Sequence, residues 1–590
     1  DGVDGMRLSV GFEANSHITG LMKGALKMMM PTHAMTLRDF LYPALSSRSW
    51  PAMTNAAGLR SWISLTELNA AQSEVVERIV TGRGRAAPYL VSGPPGTGKT
   101  RTLAHAVAAL HTFRDGNILV VSPTNAAVVV IVERLRQLAI PAESIVRIVS
   151  PSRPWDGLPP EVQEVSLCKC ARCSQWDAID GGGGKMPPGI PMHACPGVPQ
   201  PWICQGASGG PCHGKSVKRR SNYSSRTSCY RCGSPAPENR FSGRIDRQHD
   251  AARKPRGTSH RRPVRGDLIG KRVVVATLHQ AAAMADSPVL NSLIQYGYFS
   301  TIMCDEASQA TEPLVLAAVV PLLLARASAK DERAQLVLFG DVKQLGPVVT
   351  SREASDAGLN IALMERLSER EAYRRDGPFH TLLTEAYRCH DAIIDFSNAS
   401  FYNTELLPSA PSRSTCVFEG WDELPVKTHH HPVVVQNVAG DSETGGDAGY
   451  SFQNPAEVHA VLLWVRKILA SKRLPASEIG IIAPYASQVR LIEEALGSAA
   501  SGISAAEGSA IKVATAERFQ GQERGAIIIS TTRGETDETI GFVADPRRMN
   551  VMLTRAKALL VVVCSTTALE RRSGLWRDFV RLQRGEGACI

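Results

Sequence analysis

No run of residues reaches the roughly 18 uninterrupted apolar positions that a membrane-spanning helix needs. The nearest approach, 313–325, is shorter and contains Pro321, so it reads as a buried helix. No secretory signal stands at the start, although a first residue of Asp1 leaves an earlier targeting segment open. No internal repeat with a period of roughly 20–50 residues is present. Basic excess is missing from most of the chain. The 590 residues carry a formal net charge of +10, yet 17 Lys/Arg against 4 acids between Lys215 and Arg272 make +13, which leaves about −3 for the rest. Such localisation suggests one polyanion contact rather than a uniformly basic surface. Cysteine is sparse outside a single segment: 8 of the 13 lie between Cys168 and Cys232. A secreted disulfide scaffold would distribute them through the fold, so a local metal-binding insert is the better reading.

What is present is globular. At 43% hydrophobic and 21% charged residues, whole-chain disorder is excluded, and the length suffices for two or three domains. One pattern recurs from about residue 65: a short β-branched run ends and polar or glycine-rich residues follow at once. The runs 89–91, 118–121, 273–276, 301–304 and 336–339 lead into SGPPGTGKT, SPTN, TLHQ, DEAS and GDVKQ. The later runs 479–483, 511–514 and 559–563 lead into PYAS, TAERFQGQE and CST. Buried runs alternating with helical stretches mean parallel sheet and an α/β fold, with ligand chemistry beyond the carboxyl ends of the strands. Two such sets divide near residues 350–380. The expected organisation is a loosely defined lead-in (1–64), a first lobe (65–150 and 266–360), an inserted segment (151–265) and a second lobe (361–590). A structureless loop of that length is unusual, so the insert is either a small metal-stapled module or partly disordered.

The segment Gly93, Pro94, Pro95, Gly96, Thr97, Gly98, Lys99, Thr100 follows a strand and precedes a helix. Glycines there let backbone N–H groups close around phosphates at a helix N-terminus. Lys99 is placed to reach the β- and γ-phosphates and Thr100 to hold Mg2+. Asp305 and Glu306 close another apolar strand; one carboxylate can orient a magnesium shell while the other orients or deprotonates an attacking water. Alone, an acidic pair at a strand end is as often a solvated surface feature.

In order, these motifs resemble superfamily 1 nucleic-acid helicases of the branch that contains the nonsense-mediated-decay helicase and senataxin. The resemblance covers about 65–150 and 266–565: LNAAQ (68–72), DEASQATEP (305–313), GDVKQLGP (340–347), RFQGQE (518–523) and RRMNVMLTRAK (547–557). It implies two RecA-like P-loop NTPase lobes with ATP and Mg2+ between them, and 5′-to-3′ movement on single-stranded RNA or DNA. By resemblance Gln72 reads the adenine, Gln344 senses the γ-phosphate, Glu523 contacts the ribose, and Arg388 and Arg555 complete the ATP site from the second lobe. An always-charged planar donor suits the spread charge of phosphoryl transfer. Tyr387 packs on the adenine or sits in a core. The family pattern Gln-Tyr-Arg-Met-His-Pro stands here as Ala386-Tyr387-Arg388-Cys389-His390-Asp391. The strand is expected to cross the tops of both lobes and meet Ser122, Thr124, Asn125, Thr277, Pro484, Tyr485 and Thr515, contacts that grip a backbone without reading sequence. For Thr277 and Thr515 an ordinary strand-end hydrogen bond competes with that role.

Cys168-x-Cys170-x2-Cys173 with Cys229-x2-Cys232 has zinc-ligand spacing; Cys170, Cys173, Cys229 and Cys232 make one tetrahedral set, with Cys168 able to replace Cys170. Unpaired reduced cysteines are the competing reading. The basic stretch after Cys232 either clamps phosphates or is merely solvated. Taken together, an intracellular ATP-dependent helicase is expected, in cytoplasm or nucleus and without a membrane partner. A nucleic-acid-stimulated ATPase that remodels protein–RNA complexes, or a non-hydrolysing scaffold, are the alternatives.

Overall fold

The computed structural model describes residues 16–28, 56–83, 87–149, 158–169, 204–205, 211–212, 216–221, 224–229, 259–260, 265–285, 298–330, 334–374, 377–424, 430–445 and 451–590. Two parallel sheets organise them. The first holds β1 (Tyr89–Ser92), β2 (Asn117–Ser122), β3 (Ile145–Ile148), β4 (Val273–Thr277), β5 (Phe299–Cys304), β6 (Gln335–Gly340) and β7 (His380–Leu382), in the spatial order β7-β1-β6-β5-β2-β4-β3. The second holds β8 (Val433–Asn437), β9 (Ile479–Ile482), β10 (Lys512–Ala514), β11 (Arg524–Ser530) and β12 (Ala556–Cys564), in the order β8-β12-β11-β9-β10.

Alternation along each strand sends neighbouring side chains to opposite layers. In the first sheet Leu90, Leu119 and Leu338 face a core closed by the helix Glu312–Lys330, whereas Tyr89, Val120 and Phe339 face one closed by the helix Lys99–Phe113. The second sheet repeats the device: Ile482 and Ile527 point to one core, Ile481 and Ile528 to the other. Both faces are covered, which is why these strands read as continuous apolar runs. Within the expected 313–325 helix, residues 314–320, 322 and 323 are buried, and no helix among the described residues is long and apolar enough to cross a membrane.

Three expected boundaries shift. The lead-in is not loose throughout: within the helix Ser16–Met28, Leu21, Met22 and Ala25 pack on the first core, and from the helix Ala56–Ser64, Leu59 is buried while Trp62 meets Phe113 edge to face at 6.2 Å. The first lobe does not end at 360, because β7 pairs with β1 and Tyr89 Oη lies 2.7 Å from Thr381 Oγ1. Nor does it pause at 150. Arg147 of β3 bonds the backbone of Val165 and Leu167, which extends the sheet edge to the start of the insert. Apolar periodicity alone cannot tell which sheet a three-residue strand joins; the pairing partner decides.

One buried carboxylate organises the second lobe. Glu457, 1% exposed, accepts from Ser530 Oγ (2.5 Å), Thr531 Oγ1 (3.2 Å) and Thr532 N–H (2.8 Å) at the end of β11. Burial outweighs these donors and pushes its carboxyl up to about 7. Between roughly pH 4.5 and 7 the unfolded chain is ionised there while the folded chain keeps its proton, so stability falls as pH rises across that window and is level above it. Denaturant titrations of the intact protein across pH 4.5–8 are expected to show this fall. Glu457→Gln should flatten it by at most about 3 kcal/mol, and an unchanged slope would remove Glu457 as its source.

Candidate nucleotide site

The phosphate loop leaves β1 and closes on the helix Lys99–Phe113, whose free N–H groups and positive dipole end face it. Lys99 Nζ donates to Gly93 O within the loop. Thr100 Oγ1 donates to Asp305 Oδ2 at 3.0 Å, bringing together two residues 205 positions apart. Asp305 is 1% exposed, and burial, reinforced by the neighbouring Glu306, pushes its carboxyl up to about 7. Glu306 has φ of 53°, a left-handed conformation that costs a non-glycine residue about 1 kcal/mol or more. Its amide donates to Asp305 Oδ1 (3.0 Å), and its carboxylate accepts from Gln309 Nε2 (2.6 Å). Two carboxylates thus sit side by side at the carboxyl end of β5, one buried and one half-buried.

Both second-lobe arginines reach this site. Arg555 is 2% exposed and donates from Nη2 to Gln344 Oε1 of the first lobe at 2.9 Å, from Nε to Val551 O at 3.0 Å and from Nη1 to Gln522 O at 3.4 Å. Burial, then the charge of Arg388, pulls its pKa down to about 10. Arg388 stands against the phosphate loop: a Cβ on Gly96 would meet Arg388 Cβ at 2.6 Å, and Gly96, at φ of 76°, accepts Tyr387 N–H on its carbonyl at 2.9 Å. Any side chain at 96 would force the lobes apart. Arg388 also pairs with Glu523; burial opposes its charge, but Glu523 more than compensates and raises its pKa. Glu523 answers in kind: burial raises its carboxyl, and Arg388 and Lys557 together bring it below the usual range.

Behind these lies a network the sequence did not signal. Asp341 Oδ2 accepts from Gln344 Nε2 (2.6 Å) and from Tyr402 Oη (2.8 Å), and Asn550 Nδ2 donates to Tyr402 Oη (2.7 Å) and to Lys343 O (2.9 Å). Tyr402 and Asn550 belong to the second lobe, Asp341 and Lys343 to the first. Arg547 adds an ion pair to Glu365 across the same boundary. Asp341 and Asn550 lie inside motifs already singled out, but Tyr402 sits in an unremarkable helix end and carries no local cue.

Gln72 is 1% exposed, with Nε2 on Thr97 O (3.0 Å) and Oε1 receiving Asn69 N–H (3.2 Å) in a capping box. Its amide therefore holds the phosphate loop, and reading a base would require it to exchange those bonds. Tyr387 is 38% exposed rather than in a core, and its hydroxyl accepts from Asn69 Nδ2 (2.9 Å), the residue that caps the helix bearing Gln72, and donates to Glu385 (2.7 Å).

The expected strand contacts divide. Thr124 is exposed, and Asn125 and Thr515 are half-buried at strand or helix ends. Thr124 caps the helix Asn125–Gln137, accepting Ala127 N–H at 3.2 Å. Ser122 is fully buried and pairs in register with Thr277, itself 6% exposed and accepting Gln280 N–H at 3.3 Å. Pro484 is buried, and Tyr485, 5% exposed, packs on Phe452 and Phe542. The side chains of Ser122, Thr277, Pro484 and Tyr485 are therefore not presented to a passing strand here, because each is buried at its strand end.

The zinc set lies outside the described residues: Cys170, Cys173 and Cys232 are undescribed, and nothing is described of the Cys229 side chain. A different cluster appears in the second lobe, where donor atoms of His390, Cys416 and Glu419 lie within 4.8 Å of one another. His390 Nδ1 accepts Ala392 N–H at 3.2 Å, so the ring proton sits on Nε2, which faces Glu419 at 3.5 Å. Nδ1 is thus engaged by the Ala392 amide, and Nε2 is turned toward Glu419.

Tyr402→Phe takes a donor from Asp341 and an acceptor from Asn550, both within the interlobe network. Loss of about 1–3 kcal/mol in denaturant-measured stability is expected; a change below about 0.5 kcal/mol would show that the network does not hold the lobes.

Two family models, both described as AAA domain, match residues 67–178 with 238–352 and residues 359–567. The gap inside the first match falls in the cysteine-rich insert. A Danio rerio protein named mov-10-B.1 is 30% identical over 98% of this chain and 49% of its own length. The RNA helicase Mov10l1 of Mus musculus is 29% identical over 85% of this chain and 34% of its own length. The ATP-dependent helicase upf1 of Schizosaccharomyces pombe is 27% identical over 96% of this chain and 52% of its own length. The chain thus spans about half the length, or less, of the curated relatives it matches. With both lobes matched in order and the loop, the carboxylate pair and the second-lobe arginines gathered at one cleft, the chain belongs to the UPF1-like branch of the superfamily 1 helicases.

Proposed function

We propose that the protein is an ATP-dependent helicase that moves 5′ to 3′ on a single nucleic-acid strand, with RNA favoured because a relative bears the name RNA helicase. The observation that carries the reading is the 2.9 Å bond from Arg555 of the second lobe to Gln344 of the first. A guanidinium buried at that boundary, beside Arg388 and the phosphate loop, is a site for the anion whose cleavage changes how the lobes fit.

The donor set suits magnesium: Thr100 and Asp305 offer hard oxygen ligands in contact at 3.0 Å. When bound, Mg2+ screens the phosphate oxygens. The chain's own groups do the rest. Lys99 leaves Gly93 O for the β- and γ-phosphates, and Glu306 takes the proton of the attacking water. Arg388 and Arg555 balance the charge that spreads over the transferring phosphoryl group as the bond to the β-phosphate oxygen breaks. ADP and phosphate result. Loss of the γ-phosphate removes the ligand that both arginines share with Lys99, and the lobes separate. Closure and opening with alternating grip then yield directional movement. Such a motor works inside the cell, in cytoplasm or nucleus, where both ATP and polynucleotide occur.

The insert completes the proposal as a basic strand clamp around a zinc held by Cys170, Cys173, Cys229 and Cys232. Its spacing and its 17 Lys/Arg against 4 acids between Lys215 and Arg272 support this.

Lys99→Ala is expected to abolish strand-stimulated ATP hydrolysis; turnover at the wild-type rate would refute the assignment. A forked-duplex assay beside it separates unwinding from remodelling without strand separation. Deleting 170–264, which spares the buried Val165 and Leu167, should weaken strand binding and flatten its salt dependence, with zinc lost from the purified protein. Unchanged affinity and salt slope would mean that the insert is no clamp.

A further inference from the structure

Phe542 is 57% exposed, and no other phenylalanine among the described residues is as open to solvent. It is not on a loose tip. It occupies the short turn Gly541–Ala544, whose Val543 is fully buried and accepts Trp576 Nε1–H on its carbonyl at 2.7 Å. On the other side, a Cβ at Gly541 would meet Tyr485 Oη at 2.6 Å, so the turn is pressed against the ring stack beneath. Two side chains fix the phenylalanine itself through three contacts. The Tyr485 ring centroid lies 5.7 Å away, the Arg548 guanidinium lies 5.0 Å from the ring centroid, and Arg548 Nη1 donates to Phe542 O at 2.9 Å. Arg548 is in turn held by Glu517 at 2.7 Å and Asp545 at 3.7 Å.

The position is informative. Tyr485 follows β9, and Glu517 lies in the turn after β10, so the ring stands at the carboxyl ends of the second sheet. Arg518, exposed, is one residue from Glu517. Across the lobe boundary, Val348 is 75% exposed two residues after Gly346, where a Cβ would lie 3.1 Å from Arg547 Nη1. Phe542 and Val348 therefore belong to loops that meet at the Arg547 crossing, one from each lobe. Water gains nothing from a rigid apolar ring backed by a cation, whereas a nucleobase does: it stacks on any aromatic face regardless of sequence, and a guanidinium behind the ring adds to the attraction.

We propose that Phe542 is a base-stacking platform for the bound strand, with Arg548 as the backing that holds the ring outward. This rests on the reading of the chain as a strand-moving ATPase and adds to it a contact with bases, where the earlier candidates met only the backbone. An apolar protein partner on the same ring is the competing occupant.

The test uses the full chain, with Phe542→Ala and Phe542→Trp, and two fluorescent oligonucleotides of equal length: oligouridylate and its abasic counterpart. Anisotropy titrations across a salt series give affinity and salt slope, and thermal melting checks that each variant folds. Phe542→Ala is expected to weaken oligouridylate binding by about 5- to 100-fold, to leave abasic binding alone and to keep the salt slope, since no phosphate contact is lost. Phe542→Trp should retain most of the affinity. Equal loss on both oligonucleotides, a reduced salt slope, or no loss at all overturns the platform, the last leaving the ring to a protein partner. If the wild-type chain binds neither oligonucleotide, the strand-moving reading falls and takes the platform with it, which is a different result from a wild type that binds and an alanine variant that binds as well.

Discussion

A positive charge buried between two folded halves is the constraint around which the rest is arranged. Arg555 gives up its hydration at the lobe boundary, and burial together with Arg388 lowers its pKa to about 10, still high enough to keep it charged at neutral pH. Carbonyl oxygens of Val551 and Gln522 and the amide of Gln344 replace part of the lost water, and Glu306 and Glu523 supply a compensating field. Several kcal/mol of desolvation are typically at stake for an ion in such a place. A charge kept there at that cost is poised for an anion, and the loop bearing Lys99 is the part of the first lobe built to hold one.

Coupling follows from who is bonded to whom. Asp341 collects donors from Gln344 of its own lobe and Tyr402 of the other, while Arg547 pairs with Glu365 and Arg388 presses on Gly96. A change in the occupancy of the phosphate loop therefore reaches the second lobe through packed, hydrogen-bonded side chains. The same boundary carries the exposed ring of Phe542, reached from Arg548 and next to the residue that pairs with Glu365. Nucleotide and strand would meet the same short helix, Pro546–Leu553, from opposite ends.

Much of the site was legible in the chain because phosphate chemistry needs particular groups at fixed short spacings. GPPGTGKT, DEAS and GDVKQ each hold their residues within one strand-end turn, so order along the chain nearly equals order in space. The strand contacts were less legible. Ser122, Thr277, Pro484 and Tyr485 also sit at strand ends, yet they are buried there, because a strand end supplies both ligand groups and the cap of its own core. Of the two surroundings expected for Tyr387, its 38% exposure removes the core. Tyr402 and Phe542 had no local signature at all.

From the residues alone came the α/β class, the two lobes, the phosphate loop and the carboxylate pair, since apolar alternation and motif spacing are local properties that a sheet merely repeats; both arginines came only from the family resemblance. Only the tertiary structure decided that β7 completes the first sheet, that residues 165–167 extend its edge, and that Gln72 spends its amide on a cap. The same holds for the bond between Arg555 and Gln344, 211 positions apart. Partners so distant in sequence are chosen by which surfaces the folded lobes press together, and no spacing rule along a chain encodes that.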